Sequence, residues 1–416
     1  MKKVTAVLLG AGARGTIYAR YALEKPKEFE IVAVAEPDAE RRRAFARTFG
    51  VPEEKQFGDC MELLAQGTLA DAALICTMDQ MHTAPALKAL ELGYHVLLEK
   101  PMAPTEEECR AIARAAQQSG KVLSVCHVLR YSPFYSTIKT YVDSKELGEI
   151  LAATQTENVG YWHQAHSFVR GNWGNTKSST PMILQKCCHD TDILSWLIGE
   201  TCVRVSSYGA LTHFTAENAP EGAPARCLDG CPYQNTCIYY APKFYLEHPK
   251  AISDGFTQML CTDTTEENVL EALRAGPYGR CVYRCENDAV DHQNVSMVFE
   301  NGAVASLMMC AFTEECNRTL HLMGTQGELW GDMEKNEIWV QRLGHTGKEK
   351  IPVEQPETRY AYNHNGGDYC LIRDFVRAVR EDDPESSRSS AQQSLQSHLI
   401  CFAAEKSRIH LSGSEL

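Results

Sequence analysis

No stretch of the 416-residue chain approaches the ~20 consecutive apolar residues of a spanning helix. Positive charge is scarce as well. Lys and Arg number 41 against 54 Asp and Glu, a net charge of −13. A chain this acidic is a poor general partner for nucleic acid or an anionic membrane surface. There is no internal repeat and no low-complexity segment. With 44% hydrophobic and 23% charged residues the composition is that of a globular protein, which disfavours disorder and fibrous structure. At ~150 residues per domain, the length predicts two or three domains.

The start of the chain, Met1 to Gly10, has two lysines before a short apolar run and could pass for a signal peptide. No convincing cleavage site follows, so a buried strand and a cytoplasmic location are expected. Cysteine is plentiful, 17 in all, an odd number. Most stand singly in apolar runs (Cys76, Cys126, Cys310, Cys401), which suits reduced, buried thiols rather than a disulfide framework. One group differs. Cys227, Cys231 and Cys237 cluster in a Pro/Gly-rich stretch, and Cys281 and Cys285 follow. Three clustered thiolates plus a distant one can close a tetrahedral site, so structural zinc is expected on Cys227, Cys231, Cys237 and Cys281. Reduced structural cysteines are the competing reading.

The first 125 residues alternate strand and helix patterns. Val4–Leu9 is a continuous apolar run of the kind buried on both faces, followed by a helix pattern over Arg14–Leu23. Strand patterns recur at Ile31–Ala35, Ala72–Cys76, His95–Leu98 and Val122–Val125, with helix patterns between them. This predicts a doubly wound parallel sheet of Rossmann type over residues 1–128. After residue 130 the pattern changes. Long strand candidates at Ile150–Val159, Val203–Leu211, Asn294–Phe299, Ala303–Ala311, Arg318–Met323 and Ile338–Gln341 predict a large, mostly antiparallel open sheet. The expected fold class is therefore α/β, with a C-terminal α+β domain over 129–416. Within it, 214–285 reads as a loop-rich, Cys-rich insertion.

Gly10-x-Gly12-x-x-Gly15 follows the first strand and opens the first helix, the context a dinucleotide fingerprint requires. Gly10 suits the tight turn, Gly12 the close approach of a pyrophosphate, and Gly15 the packing of helix on strand. Ala13 and Arg14 complete the loop, whose helix N-terminus offers free N–H groups to phosphate. Glu36 ends the second strand, where a carboxylate accepts from ribose hydroxyls and repels a 2′-phosphate. NAD is therefore expected rather than NADP. Arg41 stands nearby, placed to stack on adenine or to weaken that preference.

Glu99-Lys100-Pro101 follows the His95–Leu98 strand. Together with the glycine fingerprint, this motif resembles the Gfo/Idh/MocA family of oxidoreductases, which includes glucose-fructose oxidoreductase and inositol dehydrogenase. The resemblance is strong over residues 1–135 and weaker beyond. It implies that Lys100 contacts the reacting hydroxyl, where an ammonium stabilises developing alkoxide. It implies cofactor contacts at Thr77, Met78, His82, Glu99 and Lys100. His127, Arg130 and Tyr131 match the passage between domains; they serve either the substrate or interdomain hydrogen bonds. The family's motif Asp-x-Gly-x-His-x-x-Asp maps onto Gln185-Lys186-Cys187-Cys188-His189-Asp190-Thr191-Asp192. The resemblance makes His189 the general base, with an unperturbed pKa near ~6.5, and Asp192 its orienting partner one helical turn away. Gln185 and Cys187 depart from the pattern, and Lys186 is expected to replace part of the relay.

The stretch Tyr161–Trp173 is rich in His and Trp. Aromatic faces suit sugar C–H surfaces, and His163, His166, Arg170 and Trp173 are candidate carbohydrate contacts. An oligomer interface would enrich the same types. The leading expectation is NAD-dependent oxidation of a sugar, glycoside or cyclitol hydroxyl. The alternative is an NAD-dependent glycoside hydrolase working by transient ring oxidation, elimination, hydration and re-reduction. A non-catalytic regulator on the same fold has no need of both Lys100 and His189. By family analogy the protein is expected to be a homo-oligomer, dimer or tetramer.

Overall fold

The computed structural model describes residues 2–261, 263–360 and 362–410. Six strands form a wholly parallel sheet: β1 (Val4–Leu9), β2 (Phe29–Ala35), β3 (Gln56–Phe57), β4 (Ala72–Ile75), β5 (His95–Leu98) and β6 (Leu123–Val125). Their spatial order is β3-β2-β1-β4-β5-β6, so the order reverses between β1 and β4. Ligands of such sheets bind beyond the carboxyl ends of the strands at that reversal. Both faces are covered, which is why β1 is apolar throughout. Ala6 and Leu8 pack toward the helices Ala13–Glu24 and Gly367–Glu381. Val7 and Leu9 pack toward Thr83–Glu91 and Glu106–Ser119 on the other face.

The second sheet has eight strands: β7 (Ile150–Asn158), β8 (Cys202–Ala210), β9 (His292–Phe299), β10 (Val304–Cys310), β11 (Asn317–Gly324), β12 (Gly327–Asp332), β13 (Glu337–Arg342) and β14 (Glu349–Ile351). The order is β14-β13-β12-β11-β7-β10-β9-β8. All neighbours are antiparallel except β7 and β10. The alternation seen in the sequence has its physical cause here. Ala153, Met297, Leu307, Leu322 and Val340 face a core built against the helices Pro133–Asp143 and Cys188–Ile198. The opposite face carries exposed Met308 and Val304. Among the described residues, no helix is long and apolar enough to cross a membrane.

Sequence reading passed over β12, because Gly327 and Gly331 interrupt its alternation. Gly331 is there for packing: a Cβ would stand 2.8 Å from the Phe134 ring. The insertion also holds more structure than expected. Helices Ala241–Glu247, Pro249–Ser253 and Glu266–Ala275 enclose a small core of Trp162, Phe244, Tyr245, Val269 and Leu273. The zinc expectation for Cys227, Cys231, Cys237 and Cys281 is corrected. Among the described residues, no three His, Cys, Asp or Glu side chains converge as a metal-holding group. Cys227 Sγ instead accepts from the Ala241 N–H at 3.5 Å and faces Arg170 Nη2 at 3.8 Å. An apolar core and a buried arginine hold the insertion where a metal cross-link was expected to.

The helix Gly367–Glu381 comes late in the chain but packs in the first sheet's core, with Phe375 only 2% exposed there. Phe375→Ala should cost ~3–5 kcal/mol. Denaturant unfolding measures it, and a loss below ~1 kcal/mol would remove this helix from the first core.

Candidate active site

The glycine loop leaves β1 at the sheet's reversal. Gly10 has φ +95°, and a Cβ there would meet the Cys76 carbonyl oxygen at 2.6 Å. Gly15 is still tighter: its Cβ would lie 2.2 Å from the Gly10 oxygen. Gly12 is the opposite case, with nothing within 4 Å of its would-be Cβ. Its face is open, leaving room for a group the size of a phosphate. Glu36, at the end of β2, is nearly buried. It accepts from the Ala11 N–H at 2.9 Å and the Asp38 N–H at 3.1 Å, and pairs with Arg41 at 3.3 Å. Arg41 is thus neutralised by the Glu36 carboxylate. Thr77 follows β4, and its Oγ1 is buried without a hydrogen-bond partner. An open cradle, a carboxylate at the second strand and an orphaned hydroxyl all fit a bound dinucleotide. Met78, beside Thr77, is exposed.

His82 holds this loop against the next one. Its ring nitrogens face the Pro101 carbonyl at 2.8 Å and the Thr77 carbonyl at 3.1 Å. The Lys100–Pro101 bond is cis. Glu99 turns back into the protein: its carboxylate accepts from Arg14 Nε at 2.9 Å, Tyr18 OH at 2.7 Å and the Lys100 N–H at 2.8 Å. Burial would raise the Glu99 carboxyl, but Arg14 and Lys100 overrule it and hold it low. Arg14 also pairs with Asp368, so its side chain ties the glycine loop to the late helix. Both charged groups, expected at the cofactor, are thereby committed to protein partners.

With Glu99 turned inward, Lys100 points across the cleft. Its Nζ donates to the Gln185 carbonyl at 2.8 Å. His189 lies four residues further along, in the first turn of the helix Cys188–Ile198. It is buried, and Nδ1 has no hydrogen-bond partner. Burial and then the Lys100 charge push the imidazole well below its ordinary value near 6.5. It is neutral at pH 7, a ready proton acceptor. Asp192 does not orient it. The Arg130 guanidinium captures that carboxylate at 2.6 and 2.8 Å, and a bidentate pair outcompetes a single imidazole.

Beneath His189 runs a buried chain of charges. Lys186 Nζ lies 3.1 Å from Glu157, Glu157 lies 2.6 Å from Arg318, and Arg318 Nε lies 2.8 Å from Asp190. Glu157 and Arg318 are direct cross-strand partners on β7 and β11. Burial opposes the Lys186 charge, but Glu157 outweighs it and raises its pKa. His163 stands beside this chain, with the Cys316 thiol 3.8 Å from its Nδ1. Burial and Lys186 hold its ring neutral.

Several sequence-stretch candidates do other work. His166 lies in a π-helical turn, Gln164–Arg170, stacked between Phe256 (4.1 Å) and Tyr278 (4.7 Å). Its nitrogens meet Tyr245 OH at 2.8 Å and the Met259 sulfur at 3.3 Å. Arg170 donates to the Arg280 and Tyr239 carbonyls at 2.8 and 2.6 Å, anchoring the insertion. Tyr131 OH pairs with Ser389 at 2.9 Å. Arg130 is committed to Asp192 and to the Arg388 carbonyl. Trp173 packs near Phe168 at 6.1 Å. The polar atoms of His166, Arg170, Tyr131 and Arg130 are thus already partnered within the protein. His127 is fully buried, with its ring 5.8 Å from that of His189.

Sequence reading missed His364 and Asp368. The His364 ring is 6.0 Å from that of His189, and its Nδ1 is 3.2 Å from Asp368. Glu157, Arg318 and Asp190 were missed too, though polar residues at inward positions of alternating strands are a readable signal.

The chain matches the profile of an oxidoreductase family with an NAD-binding Rossmann fold over residues 4–127. It matches that family's C-terminal alpha/beta domain over residues 139–408. The protein YteT of Bacillus subtilis is 22% identical over 372 residues, 83% of this chain and 82% of its own. Inositol 2-dehydrogenase of Corynebacterium glutamicum is 28% identical over 205 residues. That alignment takes in 49% of this chain and only 57% of the dehydrogenase. In fold, the chain is similar to a levoglucosan dehydrogenase solved with NADH and levoglucosan. The TM-score is 0.72 at 18% identity, over 99% of this chain and 98% of that one.

Two outcomes follow from this geometry. Gly12→Ala should leave the melting temperature unchanged and weaken NAD binding at least about tenfold, ~1.4 kcal/mol by calorimetric titration. Gly15→Ala should lower the melting temperature itself. Wild-type affinity in the Gly12 variant would remove this loop from the cofactor site. The second outcome concerns pH. Burial, with Arg170 close by, pushes His166 down to about 3. It is neutral when folded and takes up a proton on unfolding below ~6.5. Its contribution is complete above ~6.5 and lost as pH falls toward 3. His166→Phe keeps the stack, so its melting temperature should fall less steeply than wild type between about pH 6.5 and pH 4. Parallel profiles would count against a neutral His166.

Proposed function

The chain belongs to the Gfo/Idh/MocA family of oxidoreductases, and from that premise we propose that it oxidises a secondary hydroxyl of a sugar, glycoside or cyclitol with NAD. NAD, when bound, supplies the hydride acceptor. Gly12, Glu36 and Thr77 would hold it. The protein's own part is the proton and the charge. Lys100 bonds to the reacting oxygen and stabilises it as it becomes an alkoxide. Neutral His189 accepts the proton of that hydroxyl. The observation that carries the reading is the Lys100 contact to Gln185. It spans the cleft and sets an ammonium beside the segment that presents a neutral, buried imidazole.

The substrate class is supported by the relatives and by the charge pattern of the site. Relatives bear the names inositol 2-dehydrogenase and scyllo-inositol 2-dehydrogenase (NAD(+)), and one structural neighbour was solved with levoglucosan. In this chain the buried cations Lys186, Arg318, Arg14 and Arg130 all have carboxylate partners. Neutral imidazoles and paired ions suit a neutral polyol better than a charged acid. His163 and Lys186 would take its other hydroxyls.

The test is mass spectrometry of glycosides, free sugars and inositols incubated with protein and NAD. A product two hydrogens lighter, aglycone intact, is expected. Lys100→Ala should cut its formation about 10²–10⁴-fold. Undiminished turnover in that variant would overturn the assignment. A released aglycone with an unoxidised sugar and no net NADH would move the reading to redox-assisted hydrolysis.

A further inference from the structure

Four imidazoles stand in a row at the cleft. Ring centroids are 5.5 Å apart from His398 to His127, 5.8 Å from His127 to His189, and 6.0 Å from His189 to His364. They are not equivalent. His398 is closed at both nitrogens: Nδ1 donates to the Ser394 carbonyl at 2.7 Å and Nε2 accepts from the Met102 N–H at 2.9 Å. His127 has no solvent exposure, and its Nε2 faces Ser397 and Asp192 at 3.5 and 3.7 Å. His364 alone combines a fixed nitrogen with an accessible side chain, 29% exposed.

What fixes it is Asp368. That carboxylate is fully buried, paired with Arg14, and accepts from the Asn363 N–H at 3.0 Å. The His364 Nδ1–H donates to it at 3.2 Å, so the proton sits on Nδ1 and Nε2 is left as an acceptor. A group oriented by a buried carboxylate, with its second nitrogen turned outward, is built to meet a donor.

The backbone is held just as firmly. His364, Asn365 and Gly366 take φ of 55°, 49° and 80°, three left-handed residues in succession. For a non-glycine residue this costs on the order of 1–2 kcal/mol. It persists because the neighbours leave no other path. Asn365 donates to the Met333 carbonyl, and a Cβ on Gly367 would meet the Val128 oxygen at 2.5 Å. Strain held in this way gathers where a side chain has to be aimed.

We propose that His364 binds the substrate hydroxyl on the carbon next to the one oxidised, with Asp368 as its positioning residue. The inference rests on the polyol oxidation proposed above. Two neutral acceptors side by side match two adjacent hydroxyl donors. The reaction takes the proton at His189; His364 holds the neighbouring oxygen and thereby selects which ring position faces the cofactor. The substrate class narrows to polyols with free hydroxyls on adjacent carbons.

The test uses the NAD-loaded protein with myo-inositol, 1,5-anhydroglucitol and methyl glucosides, each beside analogues lacking one hydroxyl. In the wild type, removing the adjacent hydroxyl should raise KM about three- to tenfold, the worth of one hydrogen bond. In His364→Ala, the intact polyol should show that same rise, and removing the hydroxyl should then cost nothing more. His364→Gln, which returns an acceptor, should recover part of it. The melting temperature and NAD affinity report the fold of each variant. A deoxy penalty undiminished in both variants overturns the assignment while leaving the oxidation standing. No oxidation of any compound by the wild type overturns the proposed reaction, and this inference with it.

Discussion

A single guanidinium organises the cleft. Arg14 leaves the glycine loop and lies between two carboxylates, Glu99 of the turn after β5 and Asp368 of the late helix. Burial alone would raise both carboxyls; Arg14 holds both down. Three segments far apart in sequence are fastened at one point: the loop for the cofactor, the turn that carries Lys100, and the strap that carries His364. Each carboxylate would be an uncompensated buried charge without Arg14, a situation that costs several kcal/mol. Turning Glu99 inward also frees Lys100 to reach the opposite domain. The placement of Lys100 and of the His364 imidazole thus descends from a residue that hydrogen-bonds to neither.

The second organising element is the charge chain from Lys186 to Asp190. Its ions alternate in sign and stay paired, so its long-range field is small. Against that background, burial decides the histidines. His127, His163, His189 and His398 are all driven toward the neutral form. The imidazoles around Lys100 are thus without net charge, whether they are sealed in the interior like His127 and His398 or partly open like His163.

Much of this was legible beforehand, and the boundary has a physical meaning. The parallel sheet was readable because strands buried on both faces must be apolar, and the glycine spacing because two of its three positions leave no room for a Cβ. Lys100 and His189 came from a family resemblance; periodicity alone would have left Lys100 as a surface residue. Asp192 went wrong because spacing puts it one turn from His189 but cannot see Arg130 arriving from a segment 62 residues away. His166 and Arg170 were misassigned for a related reason. Composition cannot tell an aromatic stretch that lines a cavity from one that packs under an insertion. His364 was invisible because its role depends on contacts across 175 residues and on a backbone conformation that sequence rules assign to glycine. The cysteine cluster misled because composition gave no hint that the insertion had helices and a core of its own.

That core has a consequence for how such an enzyme changes over time. Trp162 and the π-helical turn belong as much to the insertion as to the cleft, since Trp162 and His166 both pack against Phe256. The wall carrying His163 is therefore seated on the core of the insertion. Lys100 and His189 are seated elsewhere, by the Arg14 junction and the Lys186–Asp190 chain. Substitutions that resize the insertion can reshape this wall without loosening Lys100 or His189. Under the oxidation proposed above, such a division would let one pair of residues be refitted to new ring shapes by drift in a segment remote from both.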